Sequence, residues 1–163
     1  MRAVIQRVKS ASVTAVDGKI ISKIDHGLCV LIGISRNDTE IDSDYMQVAL
    51  EILKLCLFDN PENGKRWQNS VVDRNYEILC VSQFTLYSIM KGNKLDFHQS
   101  MESKKSKIVY DKLLDKLRDM YCFEKIKDGQ FGALMEVNIV NDGPVTINIE
   151  SPRSNNLNST DQE

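Results

Sequence analysis

From its first residues the chain alternates: Val4, Gln6 and Val8 interleave with Ala3, Ile5 and Arg7, the two-residue period of a half-buried strand. Ser12-Val13-Thr14-Ala15-Val16 continues the pattern up to Asp17-Gly18, a tight-turn pair, and Lys19-Ile20-Ile21-Ser22-Lys23-Ile24 answers on its far side. After Asp25-His26-Gly27 the alternation stops. Leu28-Cys29-Val30-Leu31-Ile32-Gly33-Ile34 is apolar throughout, as in a central strand covered on both faces. The period then lengthens. Asn37-Asp38-Thr39-Glu40 is a helix-start signal with Asp38 or Thr39 as cap, and Ile41, Tyr45, Val48, Ile52 and Leu55 fall on one helical face.

The second half repeats this grammar. A polar loop from Asp59 to Lys65 precedes Trp67, which reads as a loop anchor. Glu77 to Val81 predicts a core strand that runs out into polar residues at Ser82-Gln83-Phe84-Thr85, and residues 87–100 follow no period. A second amphipathic helix is predicted over Glu102–Tyr121, with Val109, Leu113, Leu117 and Met120 inward and lysines outward. Asp128-Gly129 turns the chain into two last alternating runs, Met135–Val140 and Val145–Ile149. Asn141-Asp142-Gly143-Pro144 between them predicts a hairpin turn. The order of elements gives an α+β fold, a largely antiparallel sheet or barrel with two main amphipathic helices. One domain fills residues 1–150, and 151–163 form a loose polar tail.

Composition narrows the classes. Of the 163 residues 42% are hydrophobic and 27% charged, a soluble globular balance, and no apolar run approaches the ~20 residues of a membrane helix. The amino terminus opens as a strand without a signal-peptide block, which points to the cytoplasm. Cys29, Cys56, Cys80 and Cys122 are widely spaced, so buried free thiols are expected rather than disulfides. With only His26 and His98 beside them, no metal site and no cofactor are expected. Net charge is −2, yet residues 91–127 carry ten basic against six acidic side chains. That stretch reads equally as a phosphate-contacting face or as a solvated helix surface.

The familiar catalytic templates are missing. The sequence has no Gly-x-Ser-x-Gly elbow, no Walker A loop and no Gly-x-Gly-x-x-Gly, and neither histidine is placed as a base for a nucleophile. Two stretches remain. Ser82-Gln83-Phe84-Thr85 puts polar residues at the end of an apolar strand, where main-chain N–H groups can cradle an oxyanion. Gly143-Pro144 presents bare carbonyls on a stiff loop, at the kind of bond where a cis peptide is found. Standing alone, the first reads as readily as a fraying strand and the second as an ordinary turn.

Together they resemble a known family, the D-aminoacyl-tRNA deacylases. The resemblance spans nearly all of residues 1–150, through Val4-Ile5-Gln6-Arg7-Val8, Ala11-Ser12-Val13-Thr14, Gly27 to Gly33 and Gly129-Gln130-Phe131. It includes both family signatures, Ser-Gln-Phe-Thr at Ser82–Thr85 and Asn-x-Gly-Pro-x-Thr at Asn141–Thr146. One departure stands in Lys91-Gly92-Asn93-Lys94-Leu95-Asp96-Phe97, where Lys94 and Leu95 replace the usual Arg-Pro.

The resemblance implies a homodimer with active sites at the subunit interface, acting on the 3′ end of aminoacyl-tRNA. Gly143 and Pro144, joined by a cis bond, would enter the partner's pocket and face Ser82, Gln83, Phe84 and Thr85 there. Arg7 and Asn141 would support the loop and the substrate, with Phe131 and Met135 near the pocket walls. Such a rigid wall accepts the substrate ammonium and excludes an L side chain, so D-aminoacyl and glycyl esters enter. Two routes to hydrolysis stay open: Thr85 as nucleophile, or water assisted by the substrate's 2′-hydroxyl with main-chain N–H groups holding the oxyanion. A DNA-binding protein linked to replication origins is the alternative, resting on the basic 91–127 segment.

Overall fold

The computed structural model describes residues 1–38 and 43–151, and of residues 43–47 the backbone alone. Its elements are strands β1 Arg2–Ala15, β2 Ile20–Ile24 and β3 Gly27–Gly33, helix α1 Ser43–Lys54, strands β4 Glu77–Ser82, β5 Ile89–Lys91 and β6 Lys94–Asp96, helix α2 Ser103–Met120, and strands β7 Ile126–Asp128 and β8 Met135–Glu150. The α+β expectation with two main helices holds. The sheet is mixed, however: β1 pairs antiparallel with β2, β3 and β8, whereas β3–β4 and β4–β7 are parallel. The expected cap Thr39, the inward Ile41, the side chain of Tyr45 and the tail from residue 152 lie outside the described residues. Ser151 is buried and donates its N–H to the Met1 carbonyl at 2.9 Å. Among the described residues no helix is long and apolar enough to cross a membrane.

Continuous apolarity in β3 and β4 has the cause the sequence suggested. Leu28, Val30, Ile32, Ile78 and Cys80 face a core closed by Val48 and Ile52 of α1 and by Val109, Leu113 and Leu117 of α2. Cys29, Leu79 and Val81 face a second cluster with Val8, Val13 and Ile24. Each fully buried aliphatic side chain contributes roughly 1.5–3 kcal/mol, so both sheet faces help to hold the fold. Burial pushes the Cys29 thiol up to about 11 and Cys80 higher still, leaving both as small apolar groups.

The opening alternation is one strand of 14 residues, Arg2–Ala15, and β8 runs alongside the whole of it. Two local expectations change. The last two runs form one strand of 16 residues, so Asn141–Pro144 is not a hairpin turn. The ladder matches Arg7 with Val145 and Val8 with Asn141, leaving Asp142, Gly143 and Pro144 as a bulge that β1 does not pair. Finally, residues 87–100, which show no period, contain the short hairpin β5–β6.

Candidate active site

β4 ends at Ser82, beside Ile32 of β3. Gln83 donates its N–H to the Ile32 carbonyl at 2.7 Å, after which the chain winds into a single helical turn, Phe84–Tyr87. Glycine is required next door. A Cβ on Gly33 would lie 2.8 Å from Leu86 Cβ and 3.2 Å from the Gln83 carbonyl oxygen, so only its absence lets this turn sit against β3. Arg2 fastens the turn from beyond, donating from Nη1 to the Leu86 carbonyl at 2.8 Å with its guanidinium 4.6 Å from the Tyr87 ring. Ser100 Oγ donates to the Phe84 carbonyl at 2.8 Å, tying residues 97–101 to the same place.

These pieces enclose an open cleft of about 700 Å³. Val81, Ser82, Gln83 and Phe84 form one side, and Phe97, Ser100 and Met101 extend it. Ser103 and Ser106 enter from the first turn of α2, and Phe131 to Met135 with Val137 close the far side. Phe84 is 56% exposed and meets Phe97 edge-on, ring centres 5.1 Å apart; Leu134 is 81% exposed. Phe131 leans on Tyr110 at 5.5 Å. No described lining residue is an acid, a histidine, a lysine or an arginine. Polar chemistry here belongs to hydroxyls, one amide and the main chain. The first N–H groups of a helical turn have no partner within it, and the side chain of Gln83 does not cap them.

The expected site residues fall into two places. Ser82, Gln83, Phe84, Phe131 and Met135 meet in the cleft. Thr85 stands behind the lining, its hydroxyl accepting a hydrogen bond from Gln83 Nε2. Arg7, Asn141, Gly143 and Pro144 lie elsewhere, at the bulge of β8. Arg7 Nε is 3.2 Å from both the carbonyl oxygen and the carboxylate Oδ2 of Asp142, and Nη1 donates to the Leu57 carbonyl at 2.5 Å. Trp67 packs its ring 5.6 Å from the same guanidinium. The Gly143–Pro144 bond is cis, as expected, and Gly143 has φ +123°. Six residue steps along β8 lead from Val137 at the cleft to Gly143, roughly 20 Å of extended chain. Along that strand the bulge is set apart from the cleft of its own chain.

Sequence reasoning missed Ser100, Met101, Ser103 and Ser106. The only signal was that two serines occupy the first turn of the helix over 102–121. Beside them, Asp96 binds Lys91 Nζ and both the backbone N–H and ring Nδ1 of His98. Those partners, Lys91 foremost, hold its carboxyl well below the usual range.

Against known proteins, a family model described as D-Tyr-tRNA(Tyr) deacylase matches residues 4–150. The D-aminoacyl-tRNA deacylase of Drosophila melanogaster is 54% identical over 163 residues, covering all of this chain and 98% of its own. D-aminoacyl-tRNA deacylase 1 of Homo sapiens is 53% identical over 152 residues, 93% of this chain and 71% of its own. Among solved structures, the c-Myc DNA Unwinding Element Binding Protein superposes with a TM-score of 0.87 at 51% identity, covering 93% of this chain and 99% of that one. A probable eukaryotic D-amino acid tRNA deacylase gives 0.78 at 18% identity over 91% and 98%, a likeness of fold alone. Sequence and fold thus define a class of enzyme, the aminoacyl-tRNA deacylases. The chain belongs to the D-Tyr-tRNA(Tyr) deacylase family.

Proposed function

We propose that this protein hydrolyses the ester of D-aminoacyl-tRNA, releasing the free D-amino acid and tRNA in the cytoplasm as a chiral check on translation. Membership of the family supports the reaction. The observation that carries the mechanism is a cleft built on Ser82-Gln83-Phe84 whose described lining offers no acid or base. Water adds to the ester carbonyl carbon, and negative charge moves onto the carbonyl oxygen. The main-chain N–H groups of Phe84 and Thr85, at the open start of their helical turn, meet that charge. The substrate's own 2′-hydroxyl positions the water, the C–O bond to the ribose breaks, and the water's proton passes to the departing ribose oxygen. Thr85 is a support here. Its hydroxyl is engaged by Gln83 and lies outside the lining, a poor arrangement for a nucleophile.

Chirality is read by a second copy of the chain. The separation of the bulge from its own cleft, roughly 20 Å along β8, supports its serving the cleft of a partner. The exposed face of β8, with Val137 37% and Val140 53% accessible, offers a surface for that partner. Across such a homodimer the Gly143–Pro144 carbonyls accept the substrate ammonium and leave no room for an L side chain. Asn141 sits beside them on the exposed strand, and Arg7 fixes the loop through Asp142. Glycyl-tRNA, lacking a side chain, passes the same gate.

The test is ester loss from D-tyrosyl-tRNA and L-tyrosyl-tRNA side by side. The D ester is expected to vanish while the L ester persists; equal rates, or none on either, would defeat the proposal. Thr85→Ala should keep most activity, and a 2′-deoxy substrate should resist hydrolysis. The opposite pair of results would make Thr85 the nucleophile. The name of the 51%-identical structure keeps a DNA-binding reading in view, supported by the exposed Lys104, Lys105 and Lys107 of α2. It requires duplex binding that weakens steeply with salt.

A further inference from the structure

The first turn of α2 has two sides. Ser103 and Ser106 line the cleft, while Glu102 and Lys105 line a neighbouring groove of about 320 Å³ with Arg36, Asp38 and Val109. Met101 borders both, so cleft and groove flank the same end of the helix. We propose that this turn, with Arg36 and Lys105, holds the phosphodiester next to the terminal nucleoside of the bound tRNA. This inference rests on the deacylase reading and adds to it the route by which the nucleic acid leaves the cleft.

Several independent features converge on an anion there. α2 is 18 residues long, its first-turn N–H groups receive no side-chain cap, and its first turn contains no acidic residue. Ser106 is only 8% exposed, lines the cleft, and its hydroxyl has no hydrogen-bond partner among the described residues. That hydroxyl opens on the cleft, where it can donate a hydrogen bond to a phosphate oxygen. Beyond Met101 two cations wait. The Arg36 backbone is held by the Gln99 carbonyl at 2.8 Å, while Nη1 makes only a long 3.5 Å contact to the His98 carbonyl. Two carboxylates share the groove. That of Asp38 is already engaged, by the Met1 ammonium at 2.8 Å and the Ser35 N–H at 2.6 Å. Glu102 is exposed at the rim and offsets one cation, leaving the other and the helix end to attract the phosphate.

A single phosphodiester makes the test. D-tyrosyl esters of adenosine and of the dinucleotide cytidylyl-adenosine would be hydrolysed by the unaltered protein, by Arg36→Gln/Lys105→Gln and by Ser106→Ala. We expect the unaltered protein to favour the dinucleotide roughly tenfold in kcat/KM through KM, the scale of one charge-assisted hydrogen bond. That preference should collapse in the double variant, with its adenosine ester hydrolysis unaffected, and shrink in Ser106→Ala. An unaltered preference in the double variant, no preference in the parent, or equal losses on both esters would overturn the proposal. Inactivity of the parent on D-tyrosyl-tRNA itself would instead remove the deacylase reading beneath it.

Discussion

Gly33 shows how one absent atom places the Phe84–Tyr87 turn. It supports no turn and needs no unusual backbone; what it supplies is space, since a methyl would press on Leu86 Cβ at 2.8 Å and on the Gln83 carbonyl at 3.2 Å. Gly33→Ala therefore has to push the Phe84–Tyr87 turn away from β3. We expect a cost of about 1–3 kcal/mol, the range for overpacking, read by denaturant unfolding. A larger fractional loss should appear in D-tyrosyl-tRNA hydrolysis, because the displaced N–H groups are those of the proposed oxyanion site. Full activity with a lowered midpoint would mean that the turn's position is unimportant for chemistry. Arg7 plays the complementary part at the other end of the chain. It is the group through which β1 and Leu57 hold the bulge, and Arg7→Lys, unable to reach Asp142 and Leu57 together, should slow hydrolysis with little change in stability.

At the scale of elements, period alone located β1 to β4, both runs of β8 and both helices, because burial of one face or two leaves its mark on each residue. Strands β5, β6 and β7, three residues each, are too short to show a period. Pairing left no such mark. Nothing in Val4–Val8 or Val145–Ile149 states that the two lie side by side, so the alternation alone reads β8 as a hairpin. Asn-Asp-Gly-Pro has turn chemistry, and a bulge uses the same residues as a turn; only the distant partner β1 decides between them. The site was legible in part for the same reason. Ser82–Phe84 announced themselves as polar residues ending an apolar strand, whereas Ser106 is one serine on a helix until the cleft forms around it. The hairpin β5–β6 left no periodic signal, being tied by polar contacts instead. Asp96 anchors it, and because its folded-state pKa is depressed, that anchor is complete above the ordinary aspartate range and lost as pH falls through the folded value. Amide shifts of residues 89–98 should hold steady from pH 7 to about 4.5 and move only in stronger acid. Movement already complete within the ordinary aspartate range would show that this carboxylate is not the anchor, and Asp96→Asn should abolish the acid transition.

For the whole molecule, the decisive fact is distance. Cleft and bulge lie roughly 20 Å apart along β8, so under the proposed function each complete site would take its two halves from different copies. Mixing inactive variants checks this directly. Gly143→Ala damages the gate: at φ +123° a side chain is strained, and its Cβ would sit 3.0 Å from Val145 Cγ2 and 3.3 Å from Arg7 Nη2. Ala133→Phe fills the cleft while leaving the gate intact. Each variant alone should be inactive on D-tyrosyl-tRNA. After unfolding and refolding an equal mixture, half of the dimers pair one variant with the other, and each contains one site made of an intact cleft and an intact gate. Activity should return to about a quarter of the parent level, as statistical pairing in a two-fold dimer requires. If cleft and gate of the same chain worked together, every site in the mixture would hold one damaged half and no activity would return.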